Sequence, residues 1–278
     1  MPNARLQKIM NDFLGKLTNL SYEFFGIIIP GAIITLFFAI WLASLGNIPA
    51  TLISPEFPTL TIPKISEIIS ETFSEKGFGT LIPLILSWYI FGHITQWFSS
   101  STATPEGRRA TDFQRIVKSL ALRPPRPSEN FSEHLRPLFE SCSKTLGKNE
   151  ILLEWGQFFP IAKNIILRSS TNSLIATYQN KYTLHRSITI ISAFLFWLNI
   201  LGMLLPLFYC SFSNIHMTTN IPLQTFLAPF SIFLVWGFSG GYEYNWKMFG
   251  NTVVTETYSN LNFPNIGDIK NGGKSSDT

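Results

Sequence analysis

Phe24–Leu45 reads FFGIIIPGAIITLFFAIWLASL, an apolar run without one Asp, Glu, Lys or Arg. A bilayer's hydrocarbon layer is about 30 Å thick, and roughly 20 helical residues rising about 1.5 Å each cross it. The run has that length, and no water-exposed helix keeps such a surface, so it reads as a transmembrane span. It is too long for the apolar region of a signal peptide, lacks a small-x-small cleavage site and carries Glu23 at its start, so it is expected to stay uncleaved.

The same reading extends outward. No charged residue lies between Glu23 and Glu56, between Lys76 and Glu106, or between Arg186 and Glu243. The first two gaps each hold one span, about 24–45 and 80–98; the third holds two, about 187–209 and 223–242. The whole chain has 14% charged residues where about a quarter is usual, and 46% hydrophobic. The expected fold class is therefore all-α: a polytopic membrane protein with four transmembrane helices and a helical cytosolic insert between the second and third. The sequential division is 1–100 (an amphipathic lead and spans one and two), 101–186 (the insert), 187–260 (spans three and four and an interfacial helix) and 261–278 (a disordered tail).

Thirteen of the 21 Lys and Arg residues fall in 101–186, three in the lead and three in the tail, against two in the first connecting loop and none in the last. Cationic loops stay on the cytoplasmic side, so both termini and the insert are expected there. Within the insert, helices are expected over Pro105–Leu122, over Glu129–Leu146 with Pro137 disturbing it, and from Glu150 past Pro160 to Leu167. A last one from Asn172 to Arg186 should run into the third span, because no Pro or Gly interrupts TNSLIATYQNKYTLHRSITIISAF. In the first loop, Ile65, Ile68, Ile69 and Phe73 alternate with Glu67, Glu71 and Glu75 as a short amphipathic helix.

Several polar residues should share one depth at the inner leaflet: Glu23, His93, Gln96, Arg186 and Glu243. They are candidates for a gate or ion-handling ring, against the plainer reading of helix-end side chains snorkelling to the interface. Asn199 is the strong hydrogen-bonding side chain near mid-span, suited to joining helices. Pro30 and Gly31, early in the first span, predict a kink or a tight crossing. Arg108, Arg109, Arg115, Lys118, Arg123 and Arg126 are dense enough to attract a phosphate ligand or anionic lipid. No glycine-rich phosphate loop accompanies them. HExxH, CxxC and paired acidic metal motifs are missing from the sequence, and the spacing of Cys142 and Cys210 forms no disulfide framework. No enzyme activity, metal or cofactor is expected.

YEFFGIIIPG (22–31), WYIFGHITQWFSS (88–100), YTLHRS (182–187) and YEYNWKMF (242–249) resemble segments of a loose group of uncharacterised bacterial four-span inner-membrane proteins, some of them suspected phage-defence effectors. The shared features are an aromatic-acidic lead into a Pro-Gly first span, a Gly-His pair closing the second and an Arg-Ser start to the third. The resemblance implies a bacterial inner-membrane location and a sensor module coupled to membrane permeabilisation. The expected function is a homo-oligomeric channel or membrane-perturbing effector gated by the insert, which would take a nucleotide, an oligonucleotide or a cytosolic protein. The alternative is a membrane anchor or scaffold whose insert recruits a cytosolic enzyme or nucleic acid.

Overall fold

A computed structural model describes residues 23–46, 62–72, 78–102, 112–123, 130–147, 152–169, 174–210 and 220–262. The amphipathic lead, Arg108, Arg109, Arg126 and the tail from 263 lie outside them. Among the described residues every regular element is a helix. These are α1 (Ile29–Ser44), α2 (Ile62–Thr72), α3 (Phe78–Thr102), α4 (Asp112–Leu120), α5 (Arg136–Leu146), α6 (Trp155–Ser169), α7 (Ile175–Cys210) and α8 (Ile221–Asn262). Four are long and apolar enough to cross a membrane: α1 with its preceding turn, α3, α7 and α8. The chain reads as a multi-pass membrane protein.

Proline places two of the boundaries. Pro30 has no N–H and its ring crowds the carbonyl four residues back, so the turn before it, Phe24–Ile28, widens to a π-helix whose Ile29 N–H reaches Phe24 O. Pro137 was expected to disturb its helix. It stands instead in the first turn of α5, after a 3₁₀ turn at Glu133–Leu135, where a missing N–H costs nothing. Pro160 lies inside α6 without ending it.

α7 runs unbroken for 36 residues from Ile175 through Arg186 into the third apolar stretch. α8 is one helix of 42 residues, so the fourth apolar stretch and the aromatic segment after it, read above as a span and a separate interfacial helix, form a single rod. At about 1.5 Å per residue both overrun a 30 Å hydrocarbon layer by roughly 20–30 Å.

The described residues form two compact units. The bundle unit holds 23–46, 62–72, 78–102, 112–123, 181–210 and 220–242; the aromatic unit holds 130–147, 152–169, 174–180 and 243–262. In the bundle, α1 packs on α3, and α4 also lies on α3. Trp41, Leu45 and Leu195 are the buried core that joins α1 to α7, flanked by Phe37 and Leu198. In the aromatic unit, Phe131, Phe139, Trp155 and Phe158 stack with ring centres 4.9–6.2 Å apart, and Phe159 meets Phe249 at 5.4 Å. Asn251 pins this unit's first loop, accepting from Ser132 N at 2.7 Å and donating to Ser132 Oγ at 3.0 Å.

Candidate functional site

Helix register in the bundle follows from a few contacts. Trp41 Nε1 donates to Leu198 O at 2.7 Å, so α1 and α7 run side by side with the start of α1 near the level of Arg186. Glycine sets the α1–α3 crossing: a Cβ at Gly31 would fall on the Trp88 carbonyl, and one at Gly92 on the Ile27 carbonyl. The two backbones therefore touch, as small residues permit between membrane helices. His185 packs its ring over Gly241 and 5.5 Å from Phe238, with Nδ1 2.7 Å from Lys181 O, which joins α7 to α8 at the same end.

Glu23 and His93 lie near Ile27 and Gly92 of the α1–α3 crossing in sequence. Pro30 and Gly31 are buried in that crossing. Glu23 is exposed one turn before Ile27. His93, next to Gly92, is exposed with its ring edge-on to Tyr89 at 4.4 Å. Gln96 is half-buried a turn further on. Arg186 is half-buried with its Nε enclosed and without a hydrogen-bond partner. Glu243 is half-buried and belongs to the aromatic unit. Of the basic residues, Arg115 is exposed and pairs with Asp112 at 3.3 Å, Lys118 is half-buried, and Arg123 lies over the Trp236 ring at 5.0 Å.

A second polar cluster, which the sequence reading passes over apart from Asn199, joins three helices at the other end of the bundle. Gln224 Nε2 donates to Ser44 Oγ at 3.2 Å and lies 3.4 Å from Ser44 O. Ser44 O also accepts from Asn220 N at 2.9 Å, and Ser44 Oγ donates to Trp41 O at 2.6 Å. Gly202 leaves the space that Gln224 occupies. Asn199, one turn before Gly202, donates its Nδ2 to Leu195 O at 2.8 Å on its own helix. The one amide in the fourth apolar stretch, Gln224, was the available signal.

Between these ends α7 and α8 each carry a seam of buried polar residues. Ser187, Thr189, Ser192 and Asn199 on α7, and Gln224, Ser231 and Ser239 on α8, are all fully buried. Thr189 and Ser231 satisfy themselves on carbonyls one turn back, at 2.9 and 2.6 Å. Ser187 Oγ, Ser192 Oγ, Asn199 Oδ1, Gln224 Oε1 and Ser239 Oγ have no partner. The recess lined by Ile34, Phe37, Phe38, Ile191, Phe194, Leu195 and Leu198 is apolar and separate in character from this seam.

Ser239 also completes a GxSxG pattern, GFSGG at 237–241, that the sequence reading overlooks. It lies inside α8 with its Oγ buried and unbonded, not on the strand-to-helix turn that exposes a nucleophile. No set of three His, Cys, Asp or Glu among the described residues could hold a metal. Cys142 is buried and unpaired, and burial pushes its thiol up to about 11, which leaves it protonated and inert. Burial lowers Lys163, whose Nζ donates to Gln179 Oε1 at 3.1 Å. No protein-family model, curated protein or solved structure matches this chain.

Proposed function

We propose that the protein is a membrane channel or membrane-perturbing effector that works as a homo-oligomer and is controlled by its insert. The observation that carries this reading is the polar seam of buried side chains along α7 and along α8. Five side-chain atoms of hydrogen-bonding type, on residues that are fully buried, lack a partner. Such groups cost about 1–3 kcal/mol each when enclosed and unsatisfied. A state in which α7 and α8 part, or in which neighbouring protomers turn these faces to a common axis, gives them water or an ion. The two helices that carry the seam also supply residues to the aromatic unit, so the chain links that unit to them covalently. The resemblance of 22–31, 88–100, 182–187 and 242–249 to bacterial inner-membrane proteins favours the inner membrane, with termini and insert in the cytoplasm, and a role in anti-phage defence.

Ion flux from liposomes carrying the purified protein tests the reading. The wild-type chain should conduct once activated. Asn199→Leu, which places an apolar side chain in the seam, should lower the flux while the protein still elutes and melts as wild type. Wild-type protein that conducts nothing under any condition, with nucleotides and oligonucleotides supplied, would overturn it.

A further inference from the structure

α4 belongs to the bundle unit, although the sequence places it in the insert. Its C-terminal end meets the spans well inside them. Trp197 Nε1 donates to Leu120 O at 2.8 Å, satisfying one of the carbonyls that a helix end leaves open. Trp197 lies eleven residues past Arg186 on α7. Its indole leans back about one turn, so this contact sits roughly 10 Å inside the level of Arg186. Arg123 holds Trp236, six residues before Tyr242 on α8, and so reaches a similar depth from the same end.

Between these two contacts the chain turns back. Arg123 N donates to Ala121 O, and Leu122 takes a left-handed conformation, φ 57°, uncommon for a residue with a bulky side chain. Val117 and Ala121 are buried, whereas Ile116 is 57%, Leu120 48% and Leu122 40% exposed. Trp236, which Arg123 covers, is itself 62% exposed, and Phe233, one turn before it on α8, is 71% exposed. The charged residues behave otherwise. Asp112 and Arg115 pair in the first turn, and Lys118 follows one turn on, which gives two cations to one anion before the apolar tip.

We propose that α4 and its Leu122 turn form a re-entrant wedge seated in one leaflet of an anionic phospholipid bilayer. The tip residues Leu120 and Leu122 lie among acyl chains, Arg115 and Lys118 at the phosphates, and Arg123 is held at depth on the Trp236 face. The dimensions match an amphipathic helix that sinks about 5–10 Å into the boundary of headgroups and chains. Irregular backbone at that depth must be satisfied by protein, and the Trp197 and Ala121 bonds satisfy Leu120 O, Ala121 O and Arg123 N. Anionic lipid suits the surplus of cations.

Leu122→Cys, Ile116→Cys and Asp112→Cys, each labelled with an environment-sensitive fluorophore in the full chain, test this in vesicles containing phosphatidylglycerol. Peptide mass spectrometry confirms that the label is not on Cys142 or Cys210. The probes at 122 and 116 should lose most of their fluorescence to a nitroxide lipid spin-labelled along the chain and little to an aqueous quencher, and the probe at 112 the reverse. Aqueous quenching at both 122 and 116 would overturn the proposal. So would protection from every quencher, which would mean a second copy of the chain covers the tip. Two apolar positions keep the test valid if either replacement alone impairs folding, and none of these outcomes depends on ion conduction.

Discussion

The two compact units differ in the largest side chains they expose and in the number of polar side chains they bury. The bundle unit buries Ser44, Ser187, Ser192, Asn199, Gln224 and Ser239 completely and exposes Ile82, Phe91, Phe226, Phe233 and Trp236. The aromatic unit buries Phe158, Ala162, Ile166, Phe249, Val253 and Val254, and leaves Glu133, Arg136, Lys144 and Glu154 outside. The bundle unit contains the apolar stretches long enough to cross a membrane, and the aromatic unit packs round a ring cluster. In water, burying apolar surface drives association by itself, at roughly 25 cal/mol per Å². In lipid the surroundings are as apolar as the side chains, so helices adhere through close backbone approach and hydrogen bonds. The Gly31–Gly92 crossing and the Ser44–Gln224 contacts are those two devices, and the ring cluster around Phe158 is a core of the other kind.

The largest expected effect is at the crossing. Gly31→Val would drive a Cβ and two methyls into the Trp88 carbonyl, and the obstacle is backbone that no rotamer change removes. Overpacking typically costs about 1–3 kcal/mol and occasionally more, and a backbone obstacle that cannot yield puts this change at the upper end. In detergent the variant should not give the wild-type elution profile or thermal transition. A variant that melts with wild type would mean that α1 and α3 do not touch at this point.

Next comes the aromatic unit's core. Phe158 is fully enclosed, edge-on to Phe139 at 5.0 Å and tilted on Trp155 at 5.9 Å. Phe158→Ala should cost about 3–4 kcal/mol, as large-to-small changes in packed cores do. Hydrogen exchange should quicken over 130–180 and 243–262, while the α1–α3 amides around Gly31 keep their protection. If instead the loss spread equally over both units, the two would not be separate cooperative bodies.

Much of this division was legible. The charge-free stretches located α1, α3, α7 and α8, because an apolar run of that length has few other fates. The continuity of α7 followed from a sequence with neither Pro nor Gly between Asn172 and Arg186. The position of Gly31 was legible as a small residue beside Pro30, but its partner Gly92 was not, since a contact between residues so far apart leaves no trace in a single sequence. The same limit hid the Ser44–Gln224 contact, 180 residues apart, and the Trp197–Leu120 bond that places α4 with the spans. α4 was the hardest to read. Arg115 and Lys118 beside Ile116 and Leu120 describe a cytosolic amphipathic helix and an interfacial one equally well. The GFSGG segment shows the reverse case: a recognisable pattern that helical geometry empties of its usual meaning.

The smallest expected effect, and the one that sharpens the comparison most, is at Gln224. Its Nε2 serves Ser44, but its Oε1 is buried without a partner, so the side chain both contributes and costs. Hydrogen bonds between membrane helices average about 0.6 kcal/mol and rarely exceed about 1.7. Gln224→Leu should therefore change the bundle's stability by about 1 kcal/mol or less, of either sign, whereas a comparable polar replacement in the aromatic unit's core would be disruptive. Leu in the Gly202 space keeps the volume, so the measurement reads polarity more than packing. Thermal melts in detergent decide it: a loss comparable to that of Gly31→Val would mean that hydrogen bonding rather than backbone approach holds the bundle together.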